Sequence, residues 1–417
     1  MKVDVFLECQ GQSHHVGELQ QDDSRGKRAV SFQFMDEWLS NASFFQFDPK
    51  LPKSRGYHYP DHGKRLFGSI GDSAPDTWGR KLLDRRELKA AEREGRQRRS
   101  LSEFDYLLGV ADLPRLGALR FSLCGEFQTP INGAVPTMVS LGRLMEAAER
   151  IERGEDSEDD LFILFAPGSS LGGARPKASI TDSNDKLFIA KFPKDSDGYS
   201  VERWEAIAMD MASDCGLEVC EYKLTDVAGK QVYLTKRFDR TDGDLNGERI
   251  PFISAMALTD HDDGDDDCSY LELVDALSET GANSSEDTKQ LFKRIAFSIL
   301  ISNVDDHFRN HGFLWENEKG WRLSPLYDVN PVYNSSGSLR SCIDYENSTA
   351  SLSLLIDVAE FFGVNESDAR GLINEMAKIT SQWRSYAEKR GAPRKEIELM
   401  SRAFEHDELT VALGFKT

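Results

Sequence analysis

The chain has 417 residues, 39% of them hydrophobic and 29% charged, with a formal net charge of −20 at pH 7. That length and balance suit a globular protein of two or three packed units. The acidic excess argues against direct nucleic-acid binding, which needs clustered Lys and Arg, and no apolar run approaches the ~18 residues that span a bilayer. The start, Met1-Lys2-Val3-Asp4-Val5, carries a carboxylate where a signal peptide would be apolar, so the cytoplasm is the expected compartment. Six cysteines, at 9, 124, 215, 220, 268 and 342, show no C-x-x-C pairing, and are expected to be reduced and mostly packed, with no structural zinc.

Val3, Val5 and Leu7 alternate with polar residues, as do Val30, Phe32 and Phe34, which predicts a small sheet opening the chain. Ser73-Ala74-Pro75-Asp76 supplies a capping residue and an early proline before Trp78, Leu82, Leu83 and Leu88, the pattern of a helix running on toward Arg96. The basic runs Gly79-Arg80-Lys81, Arg85-Arg86 and Arg96-Gln97-Arg98-Arg99 read as a solvated helix face or as a contact for phosphates or a partner. Strand-like residues 118–123 precede a turn-rich segment through Pro130, Gly133 and Pro136, which places a boundary near residue 130. Residues 145–153 read as helix and the acidic 155–160 as a solvated connector. Two strand candidates around a Gly-rich loop follow, then a helix over 202–215 and a strand over 231–238. From residue 269 the periodicity is helical, with Leu291, Ile295, Ile299 and Leu300 on one face and later Leu352, Leu355, Val358, Phe361 and Phe362 on another.

The segment Ile301-Ser302-Asn303-Val304-Asp305-Asp306-His307-Phe308-Arg309-Asn310 closes an apolar helix with an Asp and an Asn five residues apart. A phosphotransferase loop needs this: a carboxylate facing the incoming hydroxyl, and a carboxamide far enough on to reach magnesium. Only Asp305 stands at that spacing, so Asp305 is the candidate base and Asp306 is expected to cap the loop or face solvent. Accordingly Asp328→Ala should abolish phosphotransfer and Asp306→Ala should leave most of it. Asn310 and Asp328, the latter ending Leu323-Ser324-Pro325-Leu326-Tyr327-Asp328, form an oxygen set suited to magnesium. His307 and His311 share an i, i+4 spacing, but the loop-like setting favours a structural hydrogen bond from His307 over zinc.

Upstream, Gly168-Ser169-Ser170-Leu171-Gly172-Gly173-Ala174-Arg175-Pro176-Lys177 combines three glycines with two cations. It reads equally as a phosphate cradle or a plain tight turn, since it matches neither the P-loop nor the G-x-G-x-x-G pattern. Lys186-Leu187-Phe188-Ile189-Ala190-Lys191-Phe192 is an alternating strand ending in Lys191, either the analogue of a kinase strand lysine or a surface lysine. Glu205, on the helix that follows, either pairs with that lysine or faces solvent. The acidic run at 260–267 lacks the ligand pattern of a calcium loop and reads as solvated, or as a loop selecting a basic acceptor. The expected fold is α+β and protein-kinase-like: an extra N-terminal subdomain over 1–130, a mixed α/β N-lobe over 131–240, and a mainly helical C-lobe over 241–417.

In order along the chain, several motifs resemble the HipA family of bacterial type II toxin–antitoxin serine/threonine-protein kinases. They are Phe32-Gln33-Phe34-Met35-Asp36-Glu37-Trp38-Leu39, Gly68-Ser69-Ile70-Gly71-Asp72-Ser73-Ala74-Pro75-Asp76, the loop 169–177, Arg237-Phe238-Asp239-Arg240, and 303–310 followed by Tyr327-Asp328. The resemblance implies ATP and Mg2+ as cofactors, catalysis by Asp305 and Lys191, and metal ligation by Asn310 and Asp328. It also implies nucleotide contacts from Ser170, Leu171, Gly172, Gly173, Ala174, Arg175, Lys177, Lys191, Lys236, Phe238, His307, Asn310 and Asp328. Ser170 falls on the family's autophosphorylated serine, with Ser169 as the competing acceptor, and a phosphate there would draw the loop out of the site. Growth arrest through an aminoacyl-tRNA synthetase, and restraint by a HipB-like helix-turn-helix antitoxin that alone touches operator DNA, are further implications. Lys236 departs from the family's usual Glu at the hinge. A small-molecule phosphotransferase and an ATP-sensing co-repressor subunit are the alternatives; intact Lys191, Asp305, Asn310 and Asp328 argue against lost catalysis.

Overall fold

The computed structural model describes the chain except residues 25–26, 43, 62, 130–134, 166–172, 263, 266–267, 317–318 and 416–417. Two compact units interleave along the sequence: residues 1–196 with 226–262, and residues 197–225 with 263–417.

The first unit opens with a six-stranded antiparallel sheet of order β4-β3-β2-β1-β5-β6. Its strands are β1 (Lys2–Cys9), β2 (Gln12–Ser24), β3 (Lys27–Phe34), β4 (Tyr57–His58), β5 (Leu119–Leu123) and β6 (Glu126–Phe127). β1 buries Val3, Val5, Leu7 and Cys9 as its alternation predicts. β2 is largely polar and went unmarked by periodicity. It is set by the two-residue turn Gln10-Gly11, both in left-handed backbone (φ 53° and 69°), which returns the chain against β1. The predicted helix spans Thr77–Glu94; the Asp76 side chain accepts from Gly79 N at its start and left-handed Gly95 closes it.

The segment before the Gly-rich loop is helix, Glu158–Phe165, where a strand and a solvated connector were expected. Ser157 N donates to Asp160 Oδ2 (2.9 Å) and Asp160 N to Ser157 Oγ (3.1 Å), a reciprocal cap that nucleates a helix from an acidic stretch. Asp160 is buried against Arg150, so this run is partly internal. Beyond the loop, β7 (Lys177–Thr181) and β8 (Leu187–Lys191) pair antiparallel. β9 (Tyr222–Val227) carries the chain back toward β10 (Lys230–Lys236), which pairs with the other edge of β8. One face of this sheet, with Ala178, Ile180, Phe188, Ala190, Val232 and Leu234, packs on the helices 77–94, 141–153 and 158–165. β11 (Phe252–Ser254) follows.

The second unit is mainly helical, with helices over Val201–Asp214, Tyr270–Thr280, Ser284–Leu300, Glu366–Thr380, Trp383–Lys389, Arg394–Phe404 and Asp407–Leu413. A short hairpin, β12 (Gly312–Trp315) with β13 (Trp321–Leu323), interrupts them. Leu291, Ile295, Ile299 and Leu300 are buried as predicted, and Trp383 stacks on Phe404 with ring centroids 4.8 Å apart. Phe361 does not join the apolar face assigned to it and is 63% exposed. The helix Leu352–Asp357 gives way to a 3-10 turn over Ala359–Phe362, and the change of period rotates Phe361 outward.

Candidate active site

The helix Ser284–Leu300 ends where Ser302 takes left-handed backbone (φ 53°), and the chain turns into the loop that carries the candidate base. Asp305 is exposed and Asp306 is buried. The expectation that Asp306 caps the loop or faces solvent is therefore overturned. Its carboxylate accepts from Tyr270 Oη (2.7 Å) and Ser298 Oγ (3.3 Å), and its carbonyl accepts from Ser341 Oγ (3.0 Å). His311 Nε2 lies 3.1 Å from Asp306 Oδ1, an electrostatic contact without the alignment of a hydrogen bond. Burial acts to raise the Asp306 carboxyl, but His311 and Tyr270 outweigh it and hold it below the usual carboxylate range. The anchored imidazole is thus His311. The buried Nδ1 of His307, where a structural hydrogen bond was expected, has no partner among the described residues.

The Asp305 carboxyl is pushed upward, first by partial desolvation and then by the Asp328 charge, with His307 opposing. Its carbonyl accepts from Asn310 Nδ2 (3.1 Å), which fixes the Asn310 carboxamide. Asn310 is buried and its Oδ1 finds no hydrogen-bond partner among the described residues. Asp328 adopts left-handed backbone (φ 57°), a cost that an Asp accepts where a specific carboxylate direction is required. Tyr327 Oη donates to Arg309 O (2.7 Å), tying the residue before Asp328 to the residue before Asn310. A second tie runs from Asn330 N to Asn303 Oδ1 (3.0 Å), Asn303 Nδ2 to Ser298 Oγ (3.1 Å), and so to Asp306. Asn330 Nδ2 also donates to Asp328 Oδ1 (3.2 Å). Periodicity and spacing did not mark Tyr270, Ser298, Asn303, Ser341 or Asn330. Their roles depend on pairings across up to 36 residues of chain.

A hard cation fits this set. A buried carboxamide oxygen with no hydrogen-bond partner among the described residues, on a loop hydrogen-bonded to the one that carries the Asp328 carboxylate, offers oxygen donors of the kind magnesium takes along with phosphate oxygens and water. Asn310 and Asp328 are the residues that would hold it.

In the first unit, Lys191 is buried at the end of β8 with its ammonium 5.7 Å from the Tyr233 ring centroid. The surface-lysine alternative is excluded. Lys177 Nζ lies 3.0 Å from Asp76 Oδ2 and 3.5 Å from Gly173 O. Gly173 takes left-handed backbone (φ 94°), next to Ala174 and half-buried Arg175; Ser169, Ser170, Leu171 and Gly172 lie outside the described residues. Lys236 ends β10 half-buried, and Phe238 sits 6.2 Å from Phe252. Asp239 accepts from Arg237 Nε (2.6 Å), Arg240 Nη1 (2.7 Å) and Gly117 N (2.7 Å). Burial would raise its carboxyl, but the two guanidiniums hold it well below the usual range. Glu205 is buried in the second unit, not solvent-facing.

The basic runs are matched by acids within their own unit. Arg80 pairs with Glu103 (2.6 Å), Arg98 with Asp84 (3.1 Å), and Glu87 takes both Arg96 and Arg99. Asp260 is not simply solvated either: it holds Lys50 (2.8 Å) and Lys64 (2.6 Å). Among the described residues no helix is long and apolar enough to cross a membrane.

A two-unit α+β protein with a buried strand lysine, and with an Asp, Asn and Asp on two loops tied by hydrogen bonds, has the parts of a kinase-like protein. A profile of the HipA-like C-terminal domain matches residues 169–383, and the chain belongs to the HipA family. The toxin HipA of Shewanella oneidensis MR-1, solved with HipB and its operator DNA, shares the fold. The TM-score is 0.70 at 17% identity, covering 99% of this chain and 98% of that one. A Haemophilus influenzae protein named "Putative kinase" is 24% identical over 203 residues, 42% of this chain and 59% of its own length. The like-named Y4mE of Sinorhizobium fredii is 24% identical over 147 residues, 34% of this chain and 33% of its own. The chain thus matches from a third to about three fifths of these relatives' lengths.

Proposed function

We propose that the chain is an ATP-dependent serine/threonine-protein kinase acting as the toxin of a toxin–antitoxin pair. The observation that carries this reading is the buried Asn310 Oδ1, without a hydrogen-bond partner among the described residues, on a loop that is tied to that of Asp328 and also carries the exposed Asp305. Bound magnesium, held by Asn310 and Asp328, would neutralise charge on the nucleotide phosphates. Lys191 binds and orients those phosphates. Asp305 faces the acceptor hydroxyl and takes its proton; its raised carboxyl suits a group that must bind that proton late in transfer. Asp306 touches no substrate in this scheme and positions the loop through Tyr270, Ser298 and His311. Arg175, Lys177 and the Gly-rich loop cradle the phosphates, and the backbone near Phe238 and Lys236 receives the base.

In this reading residues 1–130 form an added subdomain, 131–240 the N-lobe and 241–417 the C-lobe. The acceptor is a protein hydroxyl, on an aminoacyl-tRNA synthetase by family resemblance, and Ser170 is the autophosphorylated residue. The Shewanella toxin's complex with HipB and operator DNA supports an antitoxin as partner; its helix-turn-helix character, DNA reached only through it, and a cytoplasmic setting rest on the family resemblance. The test is to incubate the purified protein with ATP and magnesium and weigh it by mass spectrometry. A phosphate on Ser170 that is absent from Asp305→Ala supports the kinase. No modification and no turnover in either form would favour an ATP-sensing co-repressor subunit.

A further inference from the structure

The sheet β7-β8-β10 has a second face, away from the apolar core of its unit. Register places Lys177, Lys191 and Tyr233 side by side in one cross-strand row. The next row on the same face is Ser179, Ile189 and Thr235. Side chains two residues apart on a strand share a face and stand ~7 Å apart, and neighbouring strands lie ~5 Å apart. The two hydroxyls therefore flank Ile189, one on each side, a step along the sheet from Lys191.

Ser179 is 1% exposed and Thr235 8%, yet neither Oγ of Ser179 nor Oγ1 of Thr235 has a hydrogen-bond partner among the described residues. Buried hydroxyls without partners are costly, and an aliphatic residue would pack at either position without that cost. Two of them on one face, both beside Ile189 and next to the phosphate-binding lysine, call for a ligand with polar edges and an apolar face. A flat nitrogen heterocycle attached to phosphates has this form.

We propose that Ser179 and Thr235 are the base-selecting residues of the nucleotide site: their hydroxyls hydrogen-bond opposite edges of a purine laid against Ile189. A hydroxyl both donates and accepts, so each can serve a ring nitrogen or an exocyclic amine. The proposal rests on the kinase reading and deepens it, by locating recognition of the base on strand side chains in addition to the hinge backbone.

The test measures binding of magnesium–ATP and of inorganic tripolyphosphate to the full chain by calorimetry, with the melting temperature of the ligand-free protein, for wild type, Ser179→Ala, Thr235→Val and Thr235→Ser. Ser179→Ala and Thr235→Val should each weaken ATP about 3- to 10-fold, the worth of one hydrogen bond, and leave tripolyphosphate unchanged. Their ligand-free melting temperatures should stay level or rise, because an unsatisfied buried hydroxyl is removed. Thr235→Ser should keep wild-type affinity. ATP affinity within twofold of wild type in both aliphatic variants overturns the inference while leaving the kinase reading intact. A fall in ligand-free melting temperature that accounts for the weakened binding overturns it in favour of a structural role. Wild type that binds neither ATP nor tripolyphosphate removes the kinase reading and this inference together.

Discussion

Asp239 and Asp306 are both buried aspartates that hold a turn in place, and they are satisfied in opposite ways. Asp239 sits between two guanidiniums, which in turn donate to backbone carbonyls of Leu113, Pro114, Arg115 and Gly117. Burial lowers Arg240 to about 9, so it remains cationic at neutral pH. Asp306 instead relies on two hydroxyls and one imidazole. Residues 237–240 are thus pinned by a carboxylate between guanidiniums. The loop bearing the candidate base is pinned by two hydroxyl donors and one imidazole. Asp305, one residue from that anchor, is left exposed with its charge available for chemistry.

The comparison breaks most visibly at Asp239. Asp239→Ala strands Arg237 and Arg240 unpaired in the interior and should cost about 3–5 kcal/mol of stability, read by urea unfolding; a loss below about 1 kcal/mol would show that the arginines find other partners. Next, Asp305→Asn should lower phosphotransfer roughly 10²- to 10⁴-fold with stability within about 0.5 kcal/mol of wild type, because the residue is exposed. Retained turnover would transfer the base role elsewhere.

Asp306→Asn should cost about 1–3 kcal/mol through disrupted buried hydrogen bonds and lower activity through a misplaced loop, in place of the near-silent effect expected from sequence. Because the Asp306 carboxyl is held low in the fold, its contribution is present above the unfolded carboxylate value and is lost as pH falls through the lower folded value. Unfolding curves of wild type and Asp306→Asn should therefore converge only in acid, below about pH 4; a constant gap down to pH 2 would contradict this. The smallest effect is on titration. In the metal-free protein the Asp305 carboxyl should titrate above the ordinary aspartate value, read by NMR, and His307→Asn should move it further up, since His307 opposes the rise. A carboxyl that moves down, or stays put, would remove His307 as the opposing group.

Part of the candidate site was readable locally. The five-residue step from Asp305 to Asn310 is what makes Asp305 the candidate base, and the strand ending at Lys191 follows from alternation. The helix Glu158–Phe165 was missed although its Ser157/Asp160 cap is written in the chain, because Leu161 to Phe165 form an unbroken apolar run that suits a strand equally. Ser169 and Ser170, on which the regulatory reading turns, lie outside the described residues.

The sequence by itself determined the elements whose signal is local: periodic strands and helices, the capped helix starting at Thr77, and the order of the motifs that place the chain in its family. Only the tertiary structure decided which charges are spent inside the fold. It paired the basic runs with acids, buried Asp306 against Tyr270 and His311, and left Asn310 Oδ1 and the hydroxyls of Ser179 and Thr235 without hydrogen-bond partners among the described residues. Backbone periodicity repeats every few residues and is visible along the chain, whereas satisfaction of a buried polar atom depends on groups brought together from tens of residues away.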